Sequence, residues 1–166
     1  SSRNWMMRRL MIETVRRDPA YMDGNYTTQP PSLRIANVMY ATGTNGGNLN
    51  MQRIAPTREA ADRLVDQRLA ANPPADANDF IWQWDSSRDY DPEPKLDRIR
   101  ARVLAINSAD DERNPPETGL TEAAMRRVQH GRLLLIPASA ETLGHGTTGN
   151  ARFWRDALAR FLQTLP

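Results

Sequence analysis

The stretches Arg102-Val-Leu-Ala-Ile-Asn107 and Arg132-Leu-Leu-Leu-Ile-Pro137 decide the fold. Each is a short apolar run between polar or turn-forming residues, which is typical of a buried strand. A helix is predicted between them over residues 121–130, capped by Gly131, and Asn150 is placed to cap another near the end of the chain. This order predicts an α/β fold, a βαβα unit with parallel strands. Because two strands are too few for such a sheet, we expect the others to come from residues outside this chain.

The chain before residue 91 is predicted to be mostly helical. Apolar residues recur at helical spacing in two segments, and a third could be helical; these are residues 5–17, 57–71 and 33–39. The helix over 57–71 is expected to end at Asn72-Pro-Pro. Residues 42–48 are typical of a flexible loop, and residues 79–85 form a short aromatic-rich segment.

A proline-rich segment, Asp91-Pro-Glu-Pro, separates this helical pattern from the strands that follow. Paired prolines interrupt regular structure, so the segment is a candidate boundary. The sequence therefore predicts two parts, a helical region over residues 1–91 and the βαβα part over residues 92–166.

Composition excludes several classes of protein. The 166 residues are 39% hydrophobic and 25% charged, as in one ordinary globular domain or part of a larger one. The apolar runs are far shorter than the roughly 20 residues of a membrane-spanning helix, so we predict no membrane association and, by default, a cytoplasmic location. Because the sequence has no cysteine, disulfides, thiolate nucleophiles and cysteine zinc sites are excluded.

Charge does not favour a nucleic-acid partner. The sequence has 22 basic and 20 acidic residues, and every basic residue except Lys95 is arginine. Several arginines stand beside an acidic residue, as in Asp97-Arg98, which is typical of solvated helix faces with ion pairs. The run Arg98, Arg100, Arg102 is the one remaining candidate for a phosphate-binding patch, and we predict no nucleic-acid binding.

Two loops carry the residues best suited to chemistry. In parallel α/β sheets, functional residues lie just beyond the carboxyl ends of the strands. The first loop, after Asn107, contains the carboxylates of Asp110 and Asp111, and the second contains His145 between two glycines. Small neighbours leave a histidine ring accessible. The other histidine, His130, stands at a predicted helix end, where a structural role is favoured.

An acid followed along the chain by a histidine forms the last two members of the order Ser, Asp, His that α/β-hydrolases use. The histidine moves a proton between a serine and a leaving group, while the carboxylate fixes the tautomer of the ring. The alternative is a loop acid that caps the next turn and a histidine without a catalytic role. The residues alone leave both readings open.

The sequence resembles the homoserine O-acetyltransferase-like branch of the α/β-hydrolase superfamily. The resemblance rests on Asn107-Ser-Ala-Asp-Asp-Glu-Arg-Asn-Pro-Pro, on Gly144-His-Gly-Thr-Thr, and on upstream helical segments similar to that family's lid. It implies the C-terminal portion of an α/β-hydrolase fold with a mostly helical lid insertion. It also implies that the triad acid is Asp111, with three residues between it and Pro115, that Asp110 is the fallback, and that the base is His145.

The chain departs from that family in three places. No Gly-x-Ser-x-Gly nucleophile elbow occurs in the sequence, so the chain alone is predicted to be inactive and to need an N-terminal half that carries the serine. Asn37 stands where homoserine acetyltransferases have an arginine that binds the substrate carboxylate, although Arg34 is near. Gly146 replaces the aspartate that often follows the histidine.

The leading hypothesis is therefore a Ser-His-Asp acyltransferase that moves an acyl group to the hydroxyl of a small acceptor. Acetyl-CoA is the possible donor substrate, and neither a bound cofactor nor a metal is expected. An esterase or other acyl hydrolase is the first alternative. A non-catalytic homologue or interaction module is the second, and its lid helices could form a homodimer surface. Aromatic residues of the helical region could shape the acyl pocket or pack in the core; these are Tyr21, Trp82 and Trp84.

Overall fold

The computed structural model describes residues 1–71 and 76–166, and it contains helices and two strands in those ranges. In chain order the elements are α1 (Ser2–Arg16), α2 (Pro31–Thr44), α3 (Asn48–Ile54), α4 (Arg58–Ala70), α5 (Ala77–Asp85), β1 (Val103–Ser108), α6 (Leu120–Arg127), β2 (Gly131–Ile136) and α7 (Arg155–Leu162). Five short 3₁₀ segments connect them, at Pro19–Gly24, Glu93–Arg98, Pro116–Thr118, Gly144–Gly149 and Ala151–Phe153.

These elements form two compact units. One unit comprises Ser1, Thr44–Arg53 and Asp91–Pro166, and the other comprises Ser2–Gly43 and Ile54–Tyr90. The first contains the strands and is called the strand unit below; the second is called the helical unit. Residues 44–53 thus pack with the strands, although the sequence analysis places them in the helical region.

The helical unit has its own hydrophobic core. Helices α1, α2 and α5 turn apolar residues inward, since their apolar positions recur every three or four residues. The buried side chains are Met11, Ile12, Val15, Leu33, Ala36, Tyr40, Ala77, Phe80 and Ile81. The Tyr40 hydroxyl donates to Asn4 Oδ1 at 2.8 Å, so this buried polar group is satisfied.

Side-chain caps set the starts of two helices in this unit. Thr57 precedes α4, and its hydroxyl accepts from the Ala60 N–H at 3.2 Å. Asp76 precedes α5, and its carboxylate accepts from the N–H groups of Asn78 and Asp79. Such caps satisfy amides that have no partner within the helix. The predicted stop of α4 at Asn72-Pro-Pro lies outside the described residues.

The strand unit is built on one parallel pair. Strand β1 pairs with β2 over six residues each, from Val103 opposite Gly131 to Ser108 opposite Ile136. Parallel strands need a crossover, and α6 supplies it. The predicted α/β arrangement of strand, helix, strand and helix is confirmed. Helix α6, however, ends at Arg127, and Gly131 is the first residue of β2 rather than a helix cap.

Two other sequence predictions differ in their bounds. Asn150 caps the 3₁₀ turn Ala151–Phe153, and α7 begins only at Arg155. The predicted flexible loop over residues 42–48 is wrong in part, because α2 continues to Thr44 and α3 begins at Asn48. Glycines at 46 and 47 have φ of +119° and +69°, so they make the sharp turn between the two helices.

The apolar strands keep part of their surface exposed. Of the residues in β1, only Asn107 and Ser108 are buried, and Leu135 in β2 is 42% exposed. A continuous apolar run is usually covered on both faces of a parallel sheet.

In the part of the chain that the structure describes, no helix has the length and apolar character needed to cross a bilayer.

Candidate active site

The two loops singled out in the sequence leave the same edge of the parallel pair. Ser108 ends β1 opposite Ile136, which ends β2, so the loop over 109–114 and the loop over 137–149 begin side by side. We call them the acid loop and the histidine loop. The Ala109 N–H donates to the Ile136 carbonyl oxygen at 2.8 Å, which continues the pairing into the loops. This is the carboxyl edge, where parallel α/β sheets hold functional residues.

Asp111 and His145 meet at this edge. The Nδ1 atom of His145 lies 3.0 Å from Oδ2 of Asp111 and 3.2 Å from Oδ1. The Asp111 side chain is 3% exposed, whereas that of His145 is 34% exposed. The acid is therefore buried behind a ring that solvent or a substrate can reach. The structure brings together the two residues that the sequence analysis paired.

The hydrogen bonds fix the orientation of the ring. A carboxylate can only accept, so the Nδ1 atom that faces it carries the hydrogen. A neutral ring then keeps its lone pair on Nε2. That nitrogen is the one that takes a proton from a nucleophile in a Ser-His-Asp triad.

Asp111 is held as a carboxylate by several donors. Burial raises the pKa of Asp111, but the hydrogen bond from His145 and those from the backbone of Asn114 and Arg113 lower it further, so the net pKa lies below the usual value. The N–H groups of Arg113 and Asn114 donate to Oδ1 at 2.7 Å and 2.8 Å. Asn107 closes the acid loop, because its Nδ2 donates to the Asn114 carbonyl oxygen at 2.8 Å. The charge is thus stabilised without full exposure.

Asp110, the fallback acid, is engaged elsewhere. Its Oδ1 accepts from the Ser108 hydroxyl, and its Oδ2 accepts from the Thr142 hydroxyl at 2.7 Å. Ser108 and Thr142 are both fully buried. Asp110 therefore ties the acid loop to the histidine loop, while Asp111 contacts the ring.

Sequence reasoning missed one part of the site, residues 45–47. The Gly146 N–H donates to Asn45 Oδ1 at 2.7 Å, and the Gly46 N–H donates to the Leu143 carbonyl oxygen at 3.0 Å. The Gly47 N–H donates to Glu112 at 2.8 Å. The pair of glycines was a visible signal, but it was interpreted as flexibility. These bonds are between residues far apart in sequence, which local patterns do not reveal.

His130 lies at the opposite end of the strands from His145. It precedes β2 and lines a cavity of about 240 Å³ together with Arg102, Gln129, Gly131, Arg132 and Phe161. The His130 carbonyl oxygen accepts from the Val103 N–H at 3.1 Å, which starts the strand pairing. The predicted place of His130 at a helix end is wrong, because α6 ends at Arg127 and His130 directly precedes β2.

The aromatic candidates of the helical unit have different surroundings. Trp84 packs on Tyr40 with ring centroids 4.8 Å apart, and the Arg8 guanidinium lies 5.3 Å from its ring. The Tyr21 hydroxyl donates to Asn78 Oδ1 at 2.8 Å. Core packing thus explains Trp84 and Tyr21, whereas Trp82 is 75% exposed.

The position that the family resemblance compares with a substrate-binding arginine lies in the helical unit. Asn37 and Arg34 are both on α2, one helical turn apart. Asn37 is half-buried, and Arg34 is exposed. Residues one turn apart share a helix face. If the comparison with the family is shifted by one turn, Arg34 takes the position of the substrate-binding arginine in place of Asn37.

The carboxylates at the site accept hydrogen bonds from the protein and do not converge on a position that a metal ion could take. Among residues 1–71 and 76–166, no group of three or more histidine, cysteine or acidic residues is placed to hold a metal ion. The oxygens of Asp110, Asp111 and Glu112 instead accept from N–H and O–H groups of the protein. The arrangement suits proton transfer by histidine.

No protein-family model matches the chain, and no curated protein matches it in sequence. Solved structures do match. The homoserine O-acetyltransferase from Bacillus anthracis matches with a TM-score of 0.72 and 17% identity, over 92% of this chain and 47% of that one. The acetyl esterase MekB matches with a TM-score of 0.63 and 18% identity, over 96% and 50%. An acetylester hydrolase from Corynebacterium glutamicum matches with a TM-score of 0.62 and 17% identity, over 95% and 48%.

These matches show the fold. The chain has the fold of part of an α/β-hydrolase, as its resemblance to the homoserine O-acetyltransferase-like branch implies. It spans about half the length of the solved structures that it matches. At these identities the likeness concerns fold and not activity.

Proposed function

We propose that this chain supplies the acid and the base of a Ser-His-Asp enzyme that transfers or hydrolyses acyl groups. In this proposal His145 is the general base, Asp111 orients it, and the nucleophile serine belongs to a polypeptide segment outside the 166 residues. Chain and segment together are called the assembled enzyme below.

The contact between Asp111 and His145 carries the proposal. A buried carboxylate 3.0 Å from Nδ1 of a half-exposed histidine is the geometry that leaves Nε2 available for proton transfer. Its position at the carboxyl ends of two parallel strands agrees with acid and histidine sites in α/β-hydrolases. The alternative reading, a loop acid that only caps a turn, does not account for the ring contact.

The first half of the reaction would acylate the serine. The serine Oγ attacks the carbonyl carbon of the acyl donor while Nε2 of His145 accepts the hydroxyl proton. The tetrahedral intermediate then collapses, the bond to the thiolate or alkoxide leaving group breaks, and the proton on Nε2 goes to that leaving group. Asp111 stabilises the imidazolium between these two steps.

The second half would release the acyl group. An acceptor hydroxyl, or water, gives its proton to Nε2 of His145 and attacks the acyl carbon. The serine leaves as the second tetrahedral intermediate collapses, and it recovers its proton from His145. A transferase and a hydrolase therefore differ only in which acceptor reaches the acyl-enzyme.

Two observations support a serine from outside this chain. The sequence has no Gly-x-Ser-x-Gly elbow, and the chain spans about half of each solved structure that it matches. The partly exposed apolar residues of β1 also suit a sheet that continues with further strands.

Acetyl is the acyl group that the comparisons favour. The three matched structures are described as a homoserine O-acetyltransferase, an acetyl esterase and an acetylester hydrolase. For this chain we propose acetyl-CoA or an acetyl ester as donor and a small alcohol or water as acceptor. Asn37 favours hydrolysis, or an acceptor other than homoserine, because an amide cannot form the ion pair that an arginine forms with a carboxylate.

We also propose that the helical unit is the lid and a homodimer surface of a cytoplasmic enzyme. It exposes several large apolar side chains, namely Met6, Leu10, Ile35, Met39 and Trp82. Surface of this kind often marks a protein contact. Sedimentation of the assembled enzyme should give a dimer that Leu10→Glu weakens, and a monomer at all concentrations would contradict this part.

The experiment that tests the function is pre-steady-state kinetics of the assembled enzyme with 4-nitrophenyl acetate. We expect a burst of nitrophenolate equal to the enzyme concentration, followed by slower turnover as the acyl-enzyme breaks down. Added homoserine or another alcohol would raise the steady rate and form its acetyl ester if the enzyme is a transferase. No burst and no acyl-enzyme by mass spectrometry would favour a non-catalytic homologue.

A further inference from the structure

Three successive backbone amides of the histidine loop each meet a side-chain acceptor. The N–H of Gly144 faces Asp110 Oδ2 at 3.4 Å, the N–H of His145 donates to Glu112 Oε2 at 3.0 Å, and the N–H of Gly146 donates to Asn45 Oδ1 at 2.7 Å. These acceptors come from the acid loop and from the turn between α2 and α3. The backbone that carries the catalytic ring is thus held from two directions.

Glu112 joins all three segments. Its Oε2 accepts from His145, and its Oε1 accepts from the N–H of Gly47 at 2.8 Å. One carboxylate therefore links the acid loop to the histidine loop and to the turn over residues 45–47. Hydrogen bonds to a charged acceptor are stronger than those to a neutral one.

We call the place where the acid loop, the histidine loop and residues 45–47 meet the junction. Its glycines leave room for the carboxylates. Gly144 has a φ of +56°, and a Cβ atom there would overlap the Glu112 carboxyl group. A Cβ atom on Gly47 would overlap Asp110 Oδ2 and approach the backbone of Gly144. The contacts of Glu112 are thus part of a closely packed junction and not a surface arrangement.

We propose that Glu112 is a positioning residue that sets the backbone of His145, as Asp111 sets its ring. The proposal rests on the proposed function only for its catalytic consequence. Asp111 contacts Nδ1, whereas Glu112 contacts the backbone N–H of the same residue, so two neighbouring acids hold its two ends. Without the Glu112 contact, the ring would stay beside Asp111, but neither its hydrogen bond to that acid nor its distance to the serine would be fixed.

The test is Glu112→Gln in the assembled enzyme. An amide of the same size can accept from one of the two N–H groups but presents its own NH₂ to the other. We expect kcat to fall by about 10- to 100-fold with KM changed by less than about twofold, because displacement of a reacting group by about 1 Å has effects of this size. Glu117→Gln is the matched control, since Glu117 is an exposed acid a few residues further along.

A spectroscopic measurement separates positioning from general stability. In protein labelled with ¹⁵N-histidine, the Nδ1–H proton that faces Asp111 should give a downfield resonance in the wild type and in Glu117→Gln. In Glu112→Gln it should broaden or shift. An unchanged resonance, or an unchanged kcat in an active enzyme, would overturn the proposal, even if the variant melts at a lower temperature.

A second variant covers the case in which Glu112→Gln does not fold. Asn45→Ala removes the acceptor of the Gly146 N–H and leaves Glu112 in place. It should shift the Nδ1–H resonance in the same direction by a smaller amount, and no shift would count against the junction as a positioning device. If the wild type forms no acyl-enzyme, the proposed function fails, but the resonance still decides the role of Glu112.

Discussion

Three consecutive acids at the end of β1 have three different partners. Asp111 contacts the ring of His145, Asp110 contacts Thr142, and Glu112 contacts the His145 backbone. The sequence places all three beyond a strand, and the family resemblance selects Asp111. Spacing alone could not make this choice, because a turn directs neighbouring side chains in directions that depend on tertiary contacts. No local pattern in the sequence indicates that Asn45 contacts Gly146.

At the residue scale, the acid and the base should be needed for the chemical step. In the assembled enzyme, Asp111→Asn should lower kcat by about 10⁴-fold, because an amide can hold the ring in the wrong tautomer, and His145→Ala should lower it by at least about 10³-fold. The measurement is steady-state hydrolysis of 4-nitrophenyl acetate. Asp156→Asn, an exposed acid on α7, is the control and should retain wild-type kcat. A loss of less than tenfold in Asp111→Asn would contradict the triad.

The same carboxylate should make stability depend on pH. Because the folded-state pKa of Asp111 lies below the ordinary value of 3.8, its ionised form stabilises the fold above that pH. The contribution is lost as the pH falls through the folded-state pKa. In urea unfolding of the assembled enzyme, the free energy difference between wild type and Asp111→Asn should be largest near neutral pH and shrink below pH 3.8. A difference that is constant with pH would show that the charge is not stabilised.

At the element scale, the strands and helices of the strand unit follow from local patterns, and the connection through residues 44–53 does not. Apolar runs predict β1 and β2, and helical spacing predicts α6. The segment over residues 44–53 is held by bonds to the histidine loop, such as the one that Arg53 Nε in α3 donates to the Ala140 carbonyl oxygen at 3.0 Å. Contacts between residues so far apart in sequence decide its conformation, so periodicity could not predict it.

Gly144 tests the packing of the histidine loop. Gly144→Ala should destabilise the protein by about 1–3 kcal/mol, since it combines a positive φ with overlap on Glu112. Gly149→Ala, at the end of the same 3₁₀ segment, has no heavy atom within 4 Å of the added Cβ and should change stability by less than about 0.5 kcal/mol.

A third glycine separates the two causes in that prediction. Gly119 has a φ of +69° and open space around the added Cβ. Gly119→Ala should therefore lower the free energy of unfolding by about 1 kcal/mol, through the strained backbone conformation alone. Denaturant unfolding of the three variants measures these losses of stability, which should be largest in Gly144→Ala and smallest in Gly149→Ala. Equal losses in Gly144→Ala and Gly119→Ala would mean that the Glu112 contact contributes nothing to stability.

At the scale of the whole molecule, composition and strand order predict an α/β chain that is part of a larger assembly, and the matched structures have the α/β-hydrolase fold over about twice this length. The sequence could not predict how residues 1–91 divide, because segment 44–53 joins the strand unit through contacts distant in sequence. The described sheet has two strands, and its apolar residues are partly exposed.

Exposed apolar strands predict the behaviour of the isolated polypeptide. Residues 1–166 expressed alone should aggregate, because an open sheet edge and an apolar face are available for contacts between chains. Light scattering during purification and thermal melting measure this. Co-expression with the segment that carries the serine should suppress the aggregation. A monomer that melts cooperatively on its own would contradict the prediction.

The most direct test of the proposed triad is labelling of the assembled enzyme with a fluorophosphonate, followed by peptide mapping. The probe forms a covalent bond with a serine that a histidine activates. We predict stoichiometric labelling of one serine outside residues 1–166, with labelling slowed by at least about 10³-fold in His145→Ala. Labelling of a serine within this chain, or an equal rate in His145→Ala, would contradict the proposal that His145 and Asp111 activate a serine supplied from outside.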